Sequence, residues 1–281
     1  MGKNWSKGLT AATDGRVARA ATSHRGMAYT RRKPLAECRW PNASQTTLSI
    51  EWSNEMAYIV GLTATDGCLI SGKRAINFKS EDRDLVETYL GALGRTNRIR
   101  AVPTSSGGIA FVTQFADARL YRWFMSVGLT PRKSLTLGAI DVPAEFLAPL
   151  ARGLMDGDGS IANFVHAPTP ATYPRYRYER LIVRFNSASR RHIVWLQGRL
   201  APLLPDMGHI TRTIRAGRHD MFALAFGKYS SIALLKLFYP EPGVPCLTRK
   251  RRIWDDYVRR HASADESVRK EGFEPSRLFR P

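Results

Sequence analysis

The chain has 281 residues, 43% of them apolar, with 43 Lys and Arg against 24 Asp and Glu for a formal net charge of +19 at pH 7. Length and apolar content allow a proper core, as one large domain or two small ones, and the excess positive charge favours a polyanionic partner met through fast, salt-sensitive association. No apolar run approaches membrane-spanning length, no basic amphipathic helix or lipidation motif stands out, and the polar, Arg-rich N-terminus has no signal-peptide core, which argues against a membrane partner and for an intracellular protein.

Residues 1–48 lack sustained periodicity, and Lys3, Lys7, Arg16, Arg19, Arg25, Arg31, Arg32, Lys33 and Arg39 stand against only Asp14 and Glu37. Such a segment buries little apolar surface and reads as a basic arm, either a solubilising tail or a strip that lies along nucleic-acid phosphates. Trp40 and Trp52 are the candidates to anchor its end. The first half, 49–140, opens with a helix capped by Ser53 or Asn54, with Met56, Ile59, Val60 and Leu62 on its apolar side. Past Asp66-Gly67, the runs Cys68-Leu69-Ile70 and Arg74 to Lys79 flank a turn at Ser71-Gly72 and predict a hairpin. Ser80 then stands at a helix start, with Leu85, Val86, Tyr89, Leu90 and Leu93 giving the period. Arg98 to Val102 and Ile109 to Phe115 predict a second hairpin, and Asp117 to Val127 a helix closed by Gly128.

After a short linker from Gly138 to Glu145, the second half, 141–260, repeats this order. Phe78-Lys79-Ser80 corresponds to Phe185-Asn186-Ser187, followed by a helix from Arg190 to Leu200. Ile210 to Ile214 and Met221 to Phe226 match the second hairpin, and Ser230 to Phe238 the third helix. Thr130-Pro131-Arg132-Lys133 matches Leu247-Thr248-Arg249-Lys250. Landmarks recurring in the same order mark a duplication. The extra length between Asp158 and Phe185, rich in Pro, Thr and Ala over His166 to Pro174, reads as an enlarged hairpin loop. Past Tyr257 the chain is charged and short of apolar residues, so a frayed tail over 261–281 is expected. Within it Gly272-Phe273-Glu274-Pro275 would be encoded by bases that can read GGTTCGAACC, like the T-arm of a transfer-RNA gene, as an intron-borne frame running into such an exon would produce; a chance match is the other reading. Cys38, Cys68 and Cys246 are too scattered for a disulfide framework or zinc site and read as buried thiols.

The most informative repeat lies in the two helices that open the halves. Gly61, Thr65, Asp66 and Gly67 match Gly153, Gly157, Asp158 and Gly159. Small residues four apart let a partner helix approach closely. If the two runs pack about a pseudo-two-fold, their C-terminal ends bring Asp66 and Asp158 together. Two carboxylates at the negative ends of two helices repel, and hard divalent cations with oxygen ligands relieve that repulsion.

These paired runs resemble the LAGLIDADG motif of homing endonucleases, in the form where one chain carries both copies. The likeness spans residues 50–258. It implies an α+β fold of two pseudo-symmetric αββαββα halves, with the motif helices packed at their interface and the antiparallel sheets forming a DNA-binding saddle. It further implies a monomer that cuts both strands of a long, nearly asymmetric DNA site across the minor groove, leaving 3′ extensions, with Mg²⁺ as cofactor and Mn²⁺ able to substitute. Asp66 and Asp158 would hold the metal together with the main-chain carbonyls of Thr65 and Gly157. Lys133 and Lys250 resemble the family's basic residue that polarises water or stabilises the transition state; simple phosphate contact is the other reading. Ser80 and Ser187 fall near the hydrated pocket, or simply cap helices. One departure is that motif position six is Ala64 in the first copy and Asp156 in the second, where the acid caps or pairs locally.

Strand alternation suggests what the sheets read. Asn77 and Lys79 flank Phe78, Arg184 and Asn186 flank Phe185, and Arg98 and Arg100 repeat the pattern. In Arg175-Tyr176-Arg177-Tyr178 the arginines would share one face and the tyrosines the other. With Arg74, Arg212 and Arg215 these form a candidate DNA-binding set, since Arg reads guanine and Asn or Gln reads adenine in the major groove. Two rivals use the same fold: an RNA-binding maturase acting on its host intron RNA, and a DNA-binding regulator that does not cut. Binding alone gives no reason for two repelling acids, which counts against the regulator.

Overall fold

The computed structural model describes residues 46–166 and 178–270, together with the isolated Ala12, and side chains of the last helix as far as Ala262. Most of the basic arm over 1–48, with Cys38 and Trp40, lies outside the described residues. So do Arg175, Arg177, the loop over 167–177 and the peptide Gly272 to Pro275.

The first half runs α1 (Asn54–Thr65), β1 (Gly67–Ile70), β2 (Ala75–Ser80), α2 (Arg83–Ala92), β3 (Arg100–Pro103), β4 (Ile109–Ala116) and α3 (Ala118–Ser126). The second runs α4 (Leu147–Asp158), β5 (Ser160–His166), β6 (Tyr178–Ser187), α5 (Arg190–Leu200), β7 (His209–Thr213), β8 (Met221–Phe226) and α6 (Lys228–Phe238), with α7 (Thr248–Lys270) appended. The described strands form two four-stranded antiparallel sheets of matching order, β1-β2-β4-β3 and β5-β6-β8-β7. The fold is therefore α+β with two αββαββα halves, as the repeat implied. In each half the strand that follows the motif helix is an edge strand, so both edges begin one residue beyond a motif acid or its glycine.

The two motif helices interlock through their glycines. A Cβ on Gly61 would lie 2.3 Å from the Leu150 carbonyl oxygen, and one on Gly153 would lie 2.3 Å from that of Tyr58. Nothing larger than hydrogen fits at either crossing point. Every residue of α1 from Met56 to Ala64 is buried, because the helix has its partner on one side and its own sheet and α2 around the rest. A helix enclosed this way is apolar all round rather than amphipathic. Ser53 caps it, its Oγ accepting the Met56 N–H at 3.1 Å.

Several sequence expectations shift in register or role. Ser80 and Ser187 are not helix caps: Asp82 and Ser189 hold those positions, and each upstream serine hydroxyl accepts the N–H two residues on, at 3.2 and 3.1 Å. Arg74 sits in the β1–β2 turn at φ 45°, not in a strand, and Arg98 precedes β3. Cys68 is exposed and Cys246 half-buried; the pleat turns Cys68 away from the core, in register with Asn77. The expected frayed tail is helical to Lys270. Trp254 and Tyr257 of α7 are buried, and Arg260 and His261 each reach Glu179 of β6 at 3.0 Å, so the helix has tertiary partners that its charged sequence conceals. Trp52 packs 5.0 Å from the Trp123 ring and 6.4 Å from Phe146, while most of the arm it was expected to anchor lies outside the described residues.

Candidate functional site

Asp66 follows the last turn of α1, its N–H donating to the Leu62 carbonyl at 3.0 Å, and Asp158 closes α4. The glycine crossing brings these ends together: burial first, and then the charge of Asp158, pushes the Asp66 carboxyl up to about 7. Burial also raises Asp158, while Lys250 and Lys133 pull it down. Asp66 therefore feels the charge of Asp158, and both carboxyls feel the same two ammonium groups. Their main-chain oxygens are also engaged. The Asp66 carbonyl accepts the Lys79 N–H at 3.2 Å, and the Asp158 carbonyl accepts from the Asn186 side-chain amide at 2.7 Å. Asn186 is thus turned toward the acid.

Lys133 and Lys250 are 5% and 2% exposed, so both ammonium groups lie beneath the surface beside the acids rather than on it. The Lys133 ammonium donates to the Gly67 carbonyl. The Lys250 ammonium donates to Met155, Gly159 and Asp156 carbonyls at 2.6, 2.7 and 2.8 Å. Burial pushes Lys133 down, and Lys250 down to about 8. Asp156 does more than pair locally. Its Oδ2 accepts the Tyr58 hydroxyl from α1 and the Leu247 N–H ahead of α7, both at 2.9 Å, which ties three segments of both halves together. Burial raises its carboxyl to about 6, and its Oδ1 has no hydrogen-bond partner among the described residues.

The donor set at the acids fits a hard divalent cation: two carboxylates beside main-chain carbonyls, all oxygen. Among the described residues no group of three or more His, Cys, Asp and Glu gathers to hold a metal, so an ion here would complete its shell with water and substrate. Of the two carbonyls implied as ligands, that of Gly157 already lies 3.4 Å from the Lys250 ammonium. The Thr65 hydroxyl donates back to the Leu62 carbonyl at 3.0 Å.

The strand register sorts the proposed reading residues. Cys68, Asn77 and Gln114 form one cross-strand row, and Lys79, Val112 and Arg100 the next on the same face. In the second sheet Arg184 pairs with Ser160 and Ala225, and Asn186 with Ala223, which faces Thr211. Arg100, Lys79, Gln114 and Arg184 are exposed and Asn77 and Asn186 half-buried. Arg212 lies on the opposite face, in register with Phe222 and Ser187, and its Nε donates to Asp220 at 2.7 Å. Arg215 is in the β7–β8 loop, donating to the His219 carbonyl at 3.3 Å. Tyr178 shares parity with Arg184 rather than facing away from the basic side, and Arg180 lies 5.7 Å over its ring. Sequence reasoning missed Gln114, although its place between Val112 and Ala116 on an alternating strand was a usable signal. It also missed the two-armed pair of Arg249 with Asp82, at 2.8 and 2.9 Å, for which no local signal exists.

No helix among the described residues is long and apolar enough to cross a membrane. No family model and no curated protein sequence matches the chain. Among solved structures, it is similar to the meganuclease I-SmaMI bound to uncleaveable DNA, at 12% identity and TM-score 0.48, covering 84% of this chain and 100% of that one. The LAGLIDADG meganuclease I-AabMI bound to uncleaved DNA matches at 12% identity and TM-score 0.48, over 75% of this chain and 91% of that one. The N-terminal LAGLIDADG domain of DUF199/WhiA matches at 14% identity and TM-score 0.42, over 69% and 85%. What these matches record is that the chain is similar in backbone course to proteins of the family its two motif runs resemble.

Proposed function

We propose that this chain is a site-specific DNA endonuclease that hydrolyses one phosphodiester in each strand. The observation that carries the reading is the pair Asp66 and Asp158 at the ends of two interlocked helices, the charge of Asp158 reaching Asp66 and two buried ammonium groups reaching both. A binding protein has no use for that repulsion. Asp66 and Asp158 are the residues that would hold Mg²⁺ or Mn²⁺. Bound there, a divalent ion supplies activation of water, neutralisation of phosphate charge and stabilisation of the departing 3′-oxygen. Everything else comes from the chain. One carboxylate from each half gives a single molecule one cut per strand. Asn77 and Gln114 present amides suited to adenine, Arg100 and Arg184 guanidinium groups suited to guanine, and Lys79 adds positive charge along the same face. The two halves differ in these residues, so the preferred target is asymmetric, and cuts placed across the minor groove leave 3′ extensions.

The test is selection of cut sites from a randomised duplex library with and without Mg²⁺. Cleavage at a reproducible sequence only with the ion is expected. Asp66→Asn and Asp158→Asn should each abolish double-strand cleavage while binding of the selected site survives. Undiminished cutting by both variants would reject the assignment.

A further inference from the structure

The two halves share landmarks, yet the basic segments that close them are held differently. All three N–H groups of the Lys250 ammonium are engaged, by the Met155, Gly159 and Asp156 carbonyls at 2.6, 2.7 and 2.8 Å. These oxygens crowd the C-terminus of α4, where carbonyls lack intrahelical partners and the helix dipole favours a cation. The preceding Leu247 is pinned by its N–H to Asp156 at 2.9 Å. Its neighbour Arg249 is pinned by both arms to Asp82 at 2.8 and 2.9 Å. Leu247 to Lys250 is fastened at three points.

Among the described residues of the first half only one of these ties has a counterpart: Lys133 donates to the Gly67 carbonyl as Lys250 does to that of the matching Gly159. Position six of the first motif is Ala64, which offers no side-chain acceptor. The place of Asp82 is taken by Ser189, whose hydroxyl donates to the Leu137 carbonyl at 2.5 Å. Arg132, matched to Arg249, stands at φ 58° and exposed. It makes no hydrogen bond or ion pair among the described residues and lines an open cleft of about 900 Å³ with Arg215, Arg218 and His219. Lys133 donates to one carbonyl, that of Gly67, which leaves two of its N–H groups without a protein partner among the described residues.

We infer that the two lysines have divided roles. Lys250 is a positioning residue that fastens the end of α4 and so sets Asp158, whereas Lys133, with Arg132 beside it, keeps N–H donors for a substrate phosphate. This rests on the nuclease reading and deepens it. An ammonium already surrounded by carbonyls has no free donor to offer; one with a single acceptor has two. The basic cleft that Arg132 lines with Arg215 and Arg218 offers further positive charge to the same phosphates.

The experiment compares Lys133→Met, Lys250→Met, Lys250→Arg and Arg132→Ala on the selected duplex with a different dye on each strand, and melts each variant without DNA. Lys133→Met should leave Tm unchanged or raised, slow single-turnover cleavage about 100-fold and leave KM near wild type. It should slow one strand more, so that nicked duplex accumulates. Lys250→Met should lower Tm by about 4 °C or more and slow both strands together, with Lys250→Arg recovering part of both losses. Arg132→Ala should weaken binding without changing Tm. An unchanged Tm for Lys250→Met, or equal strand-by-strand losses for the two methionine variants, overturns the division. A wild-type chain that cuts nothing refutes the nuclease reading and the Lys133 role with it, while the melts still decide whether Lys250 caps α4.

Discussion

A carboxylate placed beside another at the end of a helix costs a fold stability at neutral pH. Burial and Asp158 together hold the Asp66 carboxyl near 7, so ionising it is unfavourable in the absence of a cation. Asp66→Asn is therefore expected to raise stability by about 1–3 kcal/mol in metal-free buffer at pH 8 while it abolishes cutting. A melt in which the variant is less stable than wild type would show that the acid serves packing rather than function. His192 carries the opposite sign. It is buried, its Nδ1 donates to the Gly138 carbonyl at 2.9 Å, and burial pushes the ring down to about 4. In the unfolded chain it protonates near the usual value of about 6.5. Its contribution is thus complete above that value and is lost as pH falls toward 4, by up to about 3 kcal/mol. His192→Gln should flatten this part of the stability profile between pH 7 and pH 4.5; identical slopes in wild type and variant would discard the assignment. Taking the difference between the two proteins cancels the contrary trend of Asp66 and Asp156.

Among the elements, the α1–α4 pair decides the geometry of the acids. Its crossing rests on backbone-to-backbone approach, since Cβ atoms at Gly61 and Gly153 would each meet a carbonyl oxygen at 2.3 Å. Gly153→Ala should cost about 2–3 kcal/mol or prevent folding, because overpacking against main chain has no flexible side chain to yield. Gly198, inside α5, has nothing within 4 Å of a Cβ. Gly198→Ala should instead stabilise by about 0.5–1 kcal/mol through helix propensity alone. Thermal melts of the two variants check both, and equal effects would mean that the crossing is looser than the backbone contacts indicate. The aromatic layers beneath the sheets serve the same geometry. Phe78 and Tyr89 stack at 4.1 Å, and the Tyr89 hydroxyl meets Thr63 of α1 at 3.0 Å, which fixes the motif helix to its own sheet.

For the whole molecule, net charge sets the manner of association. A charge of +19 over a surface whose outward strands carry Lys79, Arg100 and Arg184 would make association with the proposed duplex target a counterion-release process. The logarithm of the binding constant should fall with the logarithm of salt concentration at a slope of about −5 or steeper, as expected when about six phosphates are neutralised. Filter binding of the selected site from 50 to 200 mM salt measures it, and a slope near zero would remove DNA phosphates from the interface. Charge on this scale is indifferent to register, which is why it was legible from composition.

Local patterning determined a great deal by itself. Period-2 and period-3.6 runs, glycine stops and the repeated landmarks specified two like halves, and α5 and β8 fall at their expected bounds because short-range hydrogen bonding and burial agree there. The packing of α1 on α4 was also legible, since a duplicated small-residue stripe allows few other packings. Tertiary structure alone decided the rest, through contacts between residues far apart in sequence. Only the fold brings Asp156 onto Tyr58 and Leu247, Arg249 onto Asp82, and Glu179 onto the helix after Thr248; only strand pairing shows that Arg212 faces away from Arg184. A side chain's partner across the chain leaves no periodic trace in the sequence, and it is those partners that make two nearly repeated basic segments chemically unequal.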